Sequence, residues 1–143
     1  MKLHRSGSTE WSGDLKDGKG AVSVQSKALT AVPFAYASRF QGVAGTNPEE
    51  LLAAAHSACF TMGFVRLLTD MGKPPTHVDT KAVVTLEQVA DGFVIPAVDL
   101  TLRATIPGID EATFADVASR AKANCPVSKL FRAEITLDAQ LER

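Results

Sequence analysis

The sequence predicts an α+β fold, two antiparallel sheets around a long central helix, and three observations carry it. One apolar stretch from Asn47 to Met71 has helix signals at both ends. Strict two-residue alternation runs through residues 78–87 and again through 98–106. The elements then follow in the order βββ-α-ββ-α-β, runs of strands with segregated helices rather than alternating crossover units.

The first β region is expected to start with Met1–Trp11 and turn through "KDGKG" (Lys16–Gly20), whose Asp-Gly pair suits a hairpin connection. It continues in "AVSVQS" (Ala21–Ser26). A third short strand is expected at "PFAYASRF" (Pro33–Phe40), before the Gly-rich loop "QGVAGT". The long helix follows. Asn47 fits its N-cap, Pro48 its first position, and Glu49 and Glu50 complement the positive end of its dipole. Gly72 fits the left-handed residue just past the end, and Pro74–Pro75 forbid continuation. About 24 residues give roughly 36 Å of helix. It is apolar nearly all round from Leu51 to Leu68, which predicts a helix enclosed by protein. Small residues (Ala53, Ala54, Ala55, Ser57, Ala58, Gly63) would let a neighbour approach closely.

In the second β region, Val78, Thr80, Ala82, Val84 and Leu86 share one face. After the turn at "VADG", Val98, Leu100, Leu102, Ala104 and Ile106 repeat the pattern, which predicts a long half-buried hairpin. Asp110 can cap a helix with Phe114, Val117, Ala118 and Ala121 on one side. That helix stops before "CPVSKLF", and "AEITLDAQLE" closes as an alternating strand.

Composition bounds the function. A chain of 143 residues is expected to form a single domain (1–143) with one real core, and 45% apolar with 22% charged residues is ordinary for soluble globular proteins. Fifteen Lys and Arg against sixteen acids, with no basic block, leave no electrostatic case for nucleic acid. "MKLHRSGSTEW" has no apolar core after its positive charges, so it does not read as a signal peptide. The Leu51–Leu68 run is interrupted by His56 and Arg66, which argues against a membrane span, and a cytoplasmic location follows by default. Two cysteines 66 positions apart in a reducing compartment are then either separate buried thiols or a working redox pair.

Each cysteine has two readings. Cys125 precedes Pro126, which suits the first position of a short helix. A thiol there would feel unpaired N–H groups that favour thiolate, or it would simply fill a tight corner. The CxxS pattern of a glutaredoxin-type site does not apply, because that motif follows the first strand of a βαβ unit. Cys59 lies about 18 Å along its helix from the N-cap, beyond reach of the dipole. Burial alone would raise its pKa and keep it inert. Reactivity would need an imported cation, and Arg39, His56 and Arg66 are the candidates.

Over nearly its whole length the chain resembles the OsmC/Ohr family of thiol-dependent hydroperoxide reductases. The matching segments are "W-SGDLKDGKGAVS", "SRF", "GTNPEELLAAAHSACFTM", "TIPGID" and "CPVSKLFRAEITLDAQL". The form "AAHSACF", with His56 three residues before the cysteine, is more similar to the osmotically inducible protein C branch. The resemblance implies the OsmC-like fold as an intertwined homodimer, with Cys59 as peroxidatic and Cys125 as resolving cysteine. Arg39 would stabilise the thiolate and Glu49 would be its carboxylate partner. It further implies a hydroperoxide substrate and an external dithiol reductant, of which a dihydrolipoyl group on a lipoylated protein is the one the resemblance suggests. No resident cofactor and no metal are expected, and no nucleic acid or membrane partner.

Helix geometry adds one expectation. Glu49 and Cys59 are ten residues apart on one helix, so roughly 15 Å in rise, and an arginine side chain spans only part of that. An antiparallel second copy of the helix would bring its Glu49 nearer the first chain's Cys59, which places active sites at a two-fold interface. Two rivals remain. A zinc site from His56, Cys59, Cys125 and Glu49 has suitable donor types but lacks a further Cys or His nearby. A binding domain that has lost the reaction would lack one of the four motif residues, and all four are present. Phe34, Tyr36, Phe40, Phe60, Phe64 and Phe131 are open as either substrate pocket or core.

Overall fold

A computed structural model describes residues 1–142. The chain divides into two compact units, one spanning Met1–Leu51 and the other running from Leu52 onward. Both contain a three-stranded sheet.

In the first unit, β1 (Gly7–Ser12), β2 (Lys19–Val24) and β3 (Val32–Phe34) form an antiparallel sheet in that order. The first strand is shorter than expected and lacks residues 1–6. The turn is built on Asp14 rather than on Asp17-Gly18: its Oδ1 accepts the Lys16 and Asp17 N–H groups at 2.9 and 2.8 Å, and its carbonyl accepts Gly18 N–H. Trp11 and Phe34 pair across Gly20, their rings 5.5 Å apart. A Cβ on Gly20 would stand 2.5 Å from Phe34 and 2.7 Å from Trp11, so only glycine lets the rings close over the middle strand.

The expected strand Pro33–Phe40 is only half a strand. After Phe34 the chain turns into a five-residue helix, α1 (Tyr36–Phe40). Ser38 explains the change. Its hydroxyl accepts the Ala35 N–H at 2.9 Å and lies 3.0 and 2.8 Å from the Ala35 and Thr46 carbonyls, satisfying backbone groups that a ladder would otherwise take.

Helix α2 (Pro48–Asp70) has the predicted ends. Asn47 Oδ1 accepts the Glu50 N–H at 2.9 Å. Gly72, at φ +70°, closes the other end: its N–H reaches the Thr69 carbonyl and the Lys73 N–H the Leu68 carbonyl, both at 2.9 Å. The unit boundary falls within this helix.

In the second unit, β4 (His77–Val89) and β5 (Gly92–Thr105) form the predicted hairpin, with a bulge between Thr85 and Glu87. Helix α3 (Glu111–Asn124) is capped by Asp110, which accepts from the Thr113 N–H and hydroxyl, both at 2.8 Å. Those bonds hold the Asp110 carboxyl below its ordinary pKa of 3.8. A five-residue α4 (Pro126–Leu130) leads to β6 (Glu134–Glu142). β6 pairs with β5 in parallel, so this sheet is mixed rather than wholly antiparallel. A period of two identifies a strand but carries no direction.

The core of this unit is Phe60, Phe64 and Leu68 of α2 against Leu100, Leu102 and Ala104 of β5 and Phe114, Val117 and Ala118 of α3. Phe64 is its hub, with its ring centroid 6.2 Å from Phe60 and 5.9 Å from Phe114. Phe64→Ala is therefore expected to cost about 3–5 kcal/mol, read as a lower urea midpoint at unchanged slope. A loss comparable to that of an exposed site would show that Phe64 is not the hub.

Within the described chain α2 is not enclosed as its sequence predicts. Its buried residues, His56, Phe60, Phe64 and Leu68, form one stripe at four-residue spacing. Ala54, Ala55 and Ala58 are exposed, and Met62 is 74% exposed. By length and composition α2 could cross a membrane, but its buried stripe is the core of the second unit.

Candidate active site: two thiols and a forked arginine

The four motif residues form two pairs, one in each unit. In the first, α1 holds Arg39 and the first turn of α2 holds Glu49. Arg39 Nη2 donates to Glu49 Oε1 at 2.7 Å and Nε to Oε2 at 3.2 Å, a two-pronged pair that fixes the guanidinium plane. The Glu49 side chain is only 13% exposed, against 33% for Arg39, so the arginine keeps an open side. Its Cζ also stands 5.1 Å from the Phe40 ring centre, within cation–π range. The Ser38 bonds that end β3 are what place α1, and so Arg39, opposite Glu49. Beside the pair is a cavity of about 100 Å³ lined by Trp11, Leu15, Phe34, Tyr36, Phe40 and Arg39, among others. Three of the six aromatics left open by the sequence line this cavity. Phe60 and Phe64 are core, and Phe131 packs edge-on against His56 at 5.3 Å between ring centres.

In the second unit, Cys59 in the middle of α2 meets Cys125, the N-cap residue of α4. Both are free thiols; Cys125 is buried and Cys59 partly so. Burial pushes the Cys59 thiol up from its ordinary 9.0. A backbone hydrogen bond from Val127 opposes this, while the hydrogen bond and the charge interaction with Cys125 add to the rise. The α4 segment thus gives the Cys59 sulfur a second thiol and one N–H donor.

His56, weighed as a cation for Cys59, does not serve as one. It is fully buried, and desolvation lowers its pKa, holding the ring neutral at pH 7. Its Nε2 is 2.7 Å from Ser128 Oγ, and among the described residues its Nδ1 has no hydrogen-bond partner. Arg66 points outward, 82% exposed, beside Asp70. Among the described residues no three His, Cys, Asp or Glu side chains are grouped so as to hold a metal ion, so the zinc reading lacks its third donor. Sequence reasoning missed Val127 and Ser128. The first acts through backbone, which leaves no residue signature. The second was legible in the spacing: Cys125 and Ser128 are three apart, as are His56 and Cys59.

An α+β fold with one cysteine facing a second, and an arginine forked onto a carboxylate, holds side chains of the types that thiol redox chemistry uses. The family is set by the chain's relatives. The family model described as OsmC-like protein matches residues 40–140. The chain is 47% identical over 142 residues to the peroxiredoxin OsmC of Escherichia coli (strain K12), covering 99% of each. It is 33% identical over 99 residues to the organic hydroperoxide resistance protein of Xanthomonas axonopodis pv. citri (strain 306), covering 68% of this chain and 67% of that one. Its fold matches the crystal structure of an organic hydroperoxide resistance protein OsmC from Legionella pneumophila, with a TM-score of 0.71 at 21% identity over 99% of this chain and all of that one. The chain belongs to the OsmC family.

Proposed function

We propose that this chain reduces organic hydroperoxides, and less efficiently H2O2, through a Cys59–Cys125 redox cycle. That it is a cysteine-based peroxidase with a hydroperoxide-detoxifying role follows from 47% identity along its full length to a peroxiredoxin OsmC. The single observation that supports the finer chemistry is the meeting of Cys59 and Cys125.

The Cys59 thiolate attacks the distal oxygen of ROOH. The O–O bond breaks, the alkoxide leaves with a proton as ROH, and Cys59 becomes a sulfenic acid. The Cys125 sulfur then attacks the Cys59 sulfur, water leaves, and the two join in a disulfide. An external dithiol, a dihydrolipoyl group by family resemblance, reopens the bridge by exchange and is itself oxidised. Arg39 supplies the charge that the thiolate and the polarised peroxide need, with Glu49 fixing its plane. No step of this proposed cycle calls for a metal or an organic cofactor, and the external dithiol supplies the two electrons.

The working unit in this reading is a homodimer in the cytoplasm. The open apolar side of α2, with Ala54, Ala55, Ala58 and Met62, is the surface a second copy would cover. Small residues there permit close helix approach. Antiparallel packing of two such helices would carry the Arg39–Glu49 pair of one subunit toward Cys59 of the other.

The aromatic cavity beside Arg39 favours a substrate with an apolar tail. With dithiothreitol as reductant, kcat/KM for tert-butyl hydroperoxide is expected to exceed that for H2O2 by roughly tenfold or more, the weight of burying a few carbons. Equal values would remove the organic preference, and no consumption of either would remove the function.

A further inference from the structure

Helix α4 has one turn, and a helix that short does not hold itself together. At its two caps the Lys129 N–H reaches the Cys125 carbonyl at 3.0 Å and the Phe131 N–H the Val127 carbonyl at 3.3 Å. At its far end Leu130 is 75% exposed. Cys125 is tied to the end of α3 by its own N–H on the Ala121 carbonyl at 3.0 Å, so side-chain contacts set how the turn that follows it faces α2. Two of them reach α2 in matching register. Cys125 meets Cys59, and three residues on, Ser128 meets His56, three residues back from Cys59. His56 is completely buried, and among the described residues Ser128 is the sole hydrogen-bond partner of its side chain. Removing the Ser128 hydroxyl would leave that ring buried without a partner, a loss the site can relieve only by moving α4 or admitting water.

We propose that the His56–Ser128 hydrogen bond is a positioning device for the second half of the cycle, holding α4 so that the Cys125 sulfur stays opposite Cys59. The inference rests on the two-cysteine cycle proposed above. Once Cys59 is a sulfenic acid, two reactions compete for it. Cys125 condenses with it, forming the S–S bond and releasing water. Alternatively a second hydroperoxide oxidises it to the sulfinic acid and leaves as the alcohol. The hydrogen bond touches neither peroxide nor the reacting sulfurs, so it acts on the ratio of these two rates and not on the first attack.

The test uses reduced full-length protein, wild type beside Ser128→Ala, Ser128→Thr and His56→Phe. Rapid mixing with tert-butyl hydroperoxide follows peroxide loss as the first phase and acid-quenched free thiols as closure. Intact mass gives the sulfinic share. In Ser128→Ala the first phase is expected to stay within about twofold of wild type while closure slows roughly fivefold to tenfold, the weight of one hydrogen bond, and the sulfinic share rises. His56→Phe should behave alike, and Ser128→Thr, which keeps the hydroxyl, should close as wild type does. A second readout needs no peroxide: equilibration with reduced and oxidised dithiothreitol, in which Ser128→Ala should disfavour the Cys59–Cys125 disulfide by a similar factor. Wild-type closure and wild-type disulfide equilibrium in Ser128→Ala would overturn the proposal, as would an equal fall in both phases that threonine does not rescue. A wild type that forms the disulfide in dithiothreitol but never consumes peroxide would overturn the peroxidase cycle alone, and a shifted equilibrium in Ser128→Ala would still support the positioning role.

Discussion

Cys59→Ser is expected to remove steady-state peroxide consumption, lowering it by more than about a thousandfold, the scale on which loss of a covalent nucleophile is felt. A serine hydroxyl at the same place keeps the helix and the core, since Phe60 and Phe64 are untouched, but it has no thiolate form at neutral pH. The partner variant separates the two thiols. Cys125→Ser should reduce about one equivalent of hydroperoxide per chain and then stop, because nothing condenses with the sulfenic acid. Under excess peroxide its Cys59 should accumulate as sulfinic acid, seen by mass. If Cys59→Ser kept steady turnover, or Cys125→Ser turned over with a dithiol as fast as wild type, the assignment of attacking and resolving roles would be wrong.

The second large effect is expected at Arg39. Burial and Cys125 both push the Cys59 thiol up, and among the described residues the Val127 N–H is the one opposing contact. A thiol so placed is mostly protonated at pH 7, so the cycle needs a cation. Arg39→Met should lower kcat/KM by roughly a hundredfold, typical of removing one preorganised charge donor. It should also move the alkaline midpoint of the first phase to higher pH, since the thiolate would lose its counter-ion. Glu49→Gln keeps a side chain that can still accept from the guanidinium and should cost less, roughly tenfold. Mixing tests whether the site is shared. Refolding Arg39→Met together with Cys59→Ser subunits, each at about a hundredth of wild-type activity or less alone, should restore about a quarter of wild-type activity if Arg39 acts across a two-fold interface. Half the dimers are then mixed, and each carries one complete site. No recovery, with mixed dimers confirmed by mass, would place Arg39 and Cys59 in the same subunit's site.

How much of this was legible in the sequence differs by element. Helix α2 was legible to within a residue because its signals are local: Asn47 caps it, Pro48 starts it and Gly72 closes it. The fate of its surface was not, because an apolar helix says only that something covers it. One stripe meets this chain's own core, and the side with Met62 does not. Residues 35–40 were misread as strand because "FAYASRF" has suitable β composition, whereas the deciding bonds run from Ser38 to Thr46, eight residues away. The parallel course of β6 was hidden for a similar reason, since direction is set by its partner β5. Of the candidate site, the residues were legible through family resemblance more than through local physics. Periodicity made Cys59 a core thiol, and Cys125 the better activated one. The contact between α2 and α4 that makes them a pair joins segments far apart in the chain, and no window of sequence contains it.

The parallel pairing of β6 with β5 has a further consequence, for the order of folding. The β4–β5 hairpin is a local structure, able to form as soon as its two strands exist, whereas β6 reaches β5 only after α3 and α4 have crossed back over the sheet. Cys125 rides on that crossover. Were the local elements to form first, Cys59 would stand in its helix before Cys125 is brought to it. A sulfenic acid formed on Cys59 in that interval would depend on an external thiol for its rescue, or go on to the sulfinic acid. The closing of one strand would then also mark the point from which the two-thiol cycle proposed above becomes possible.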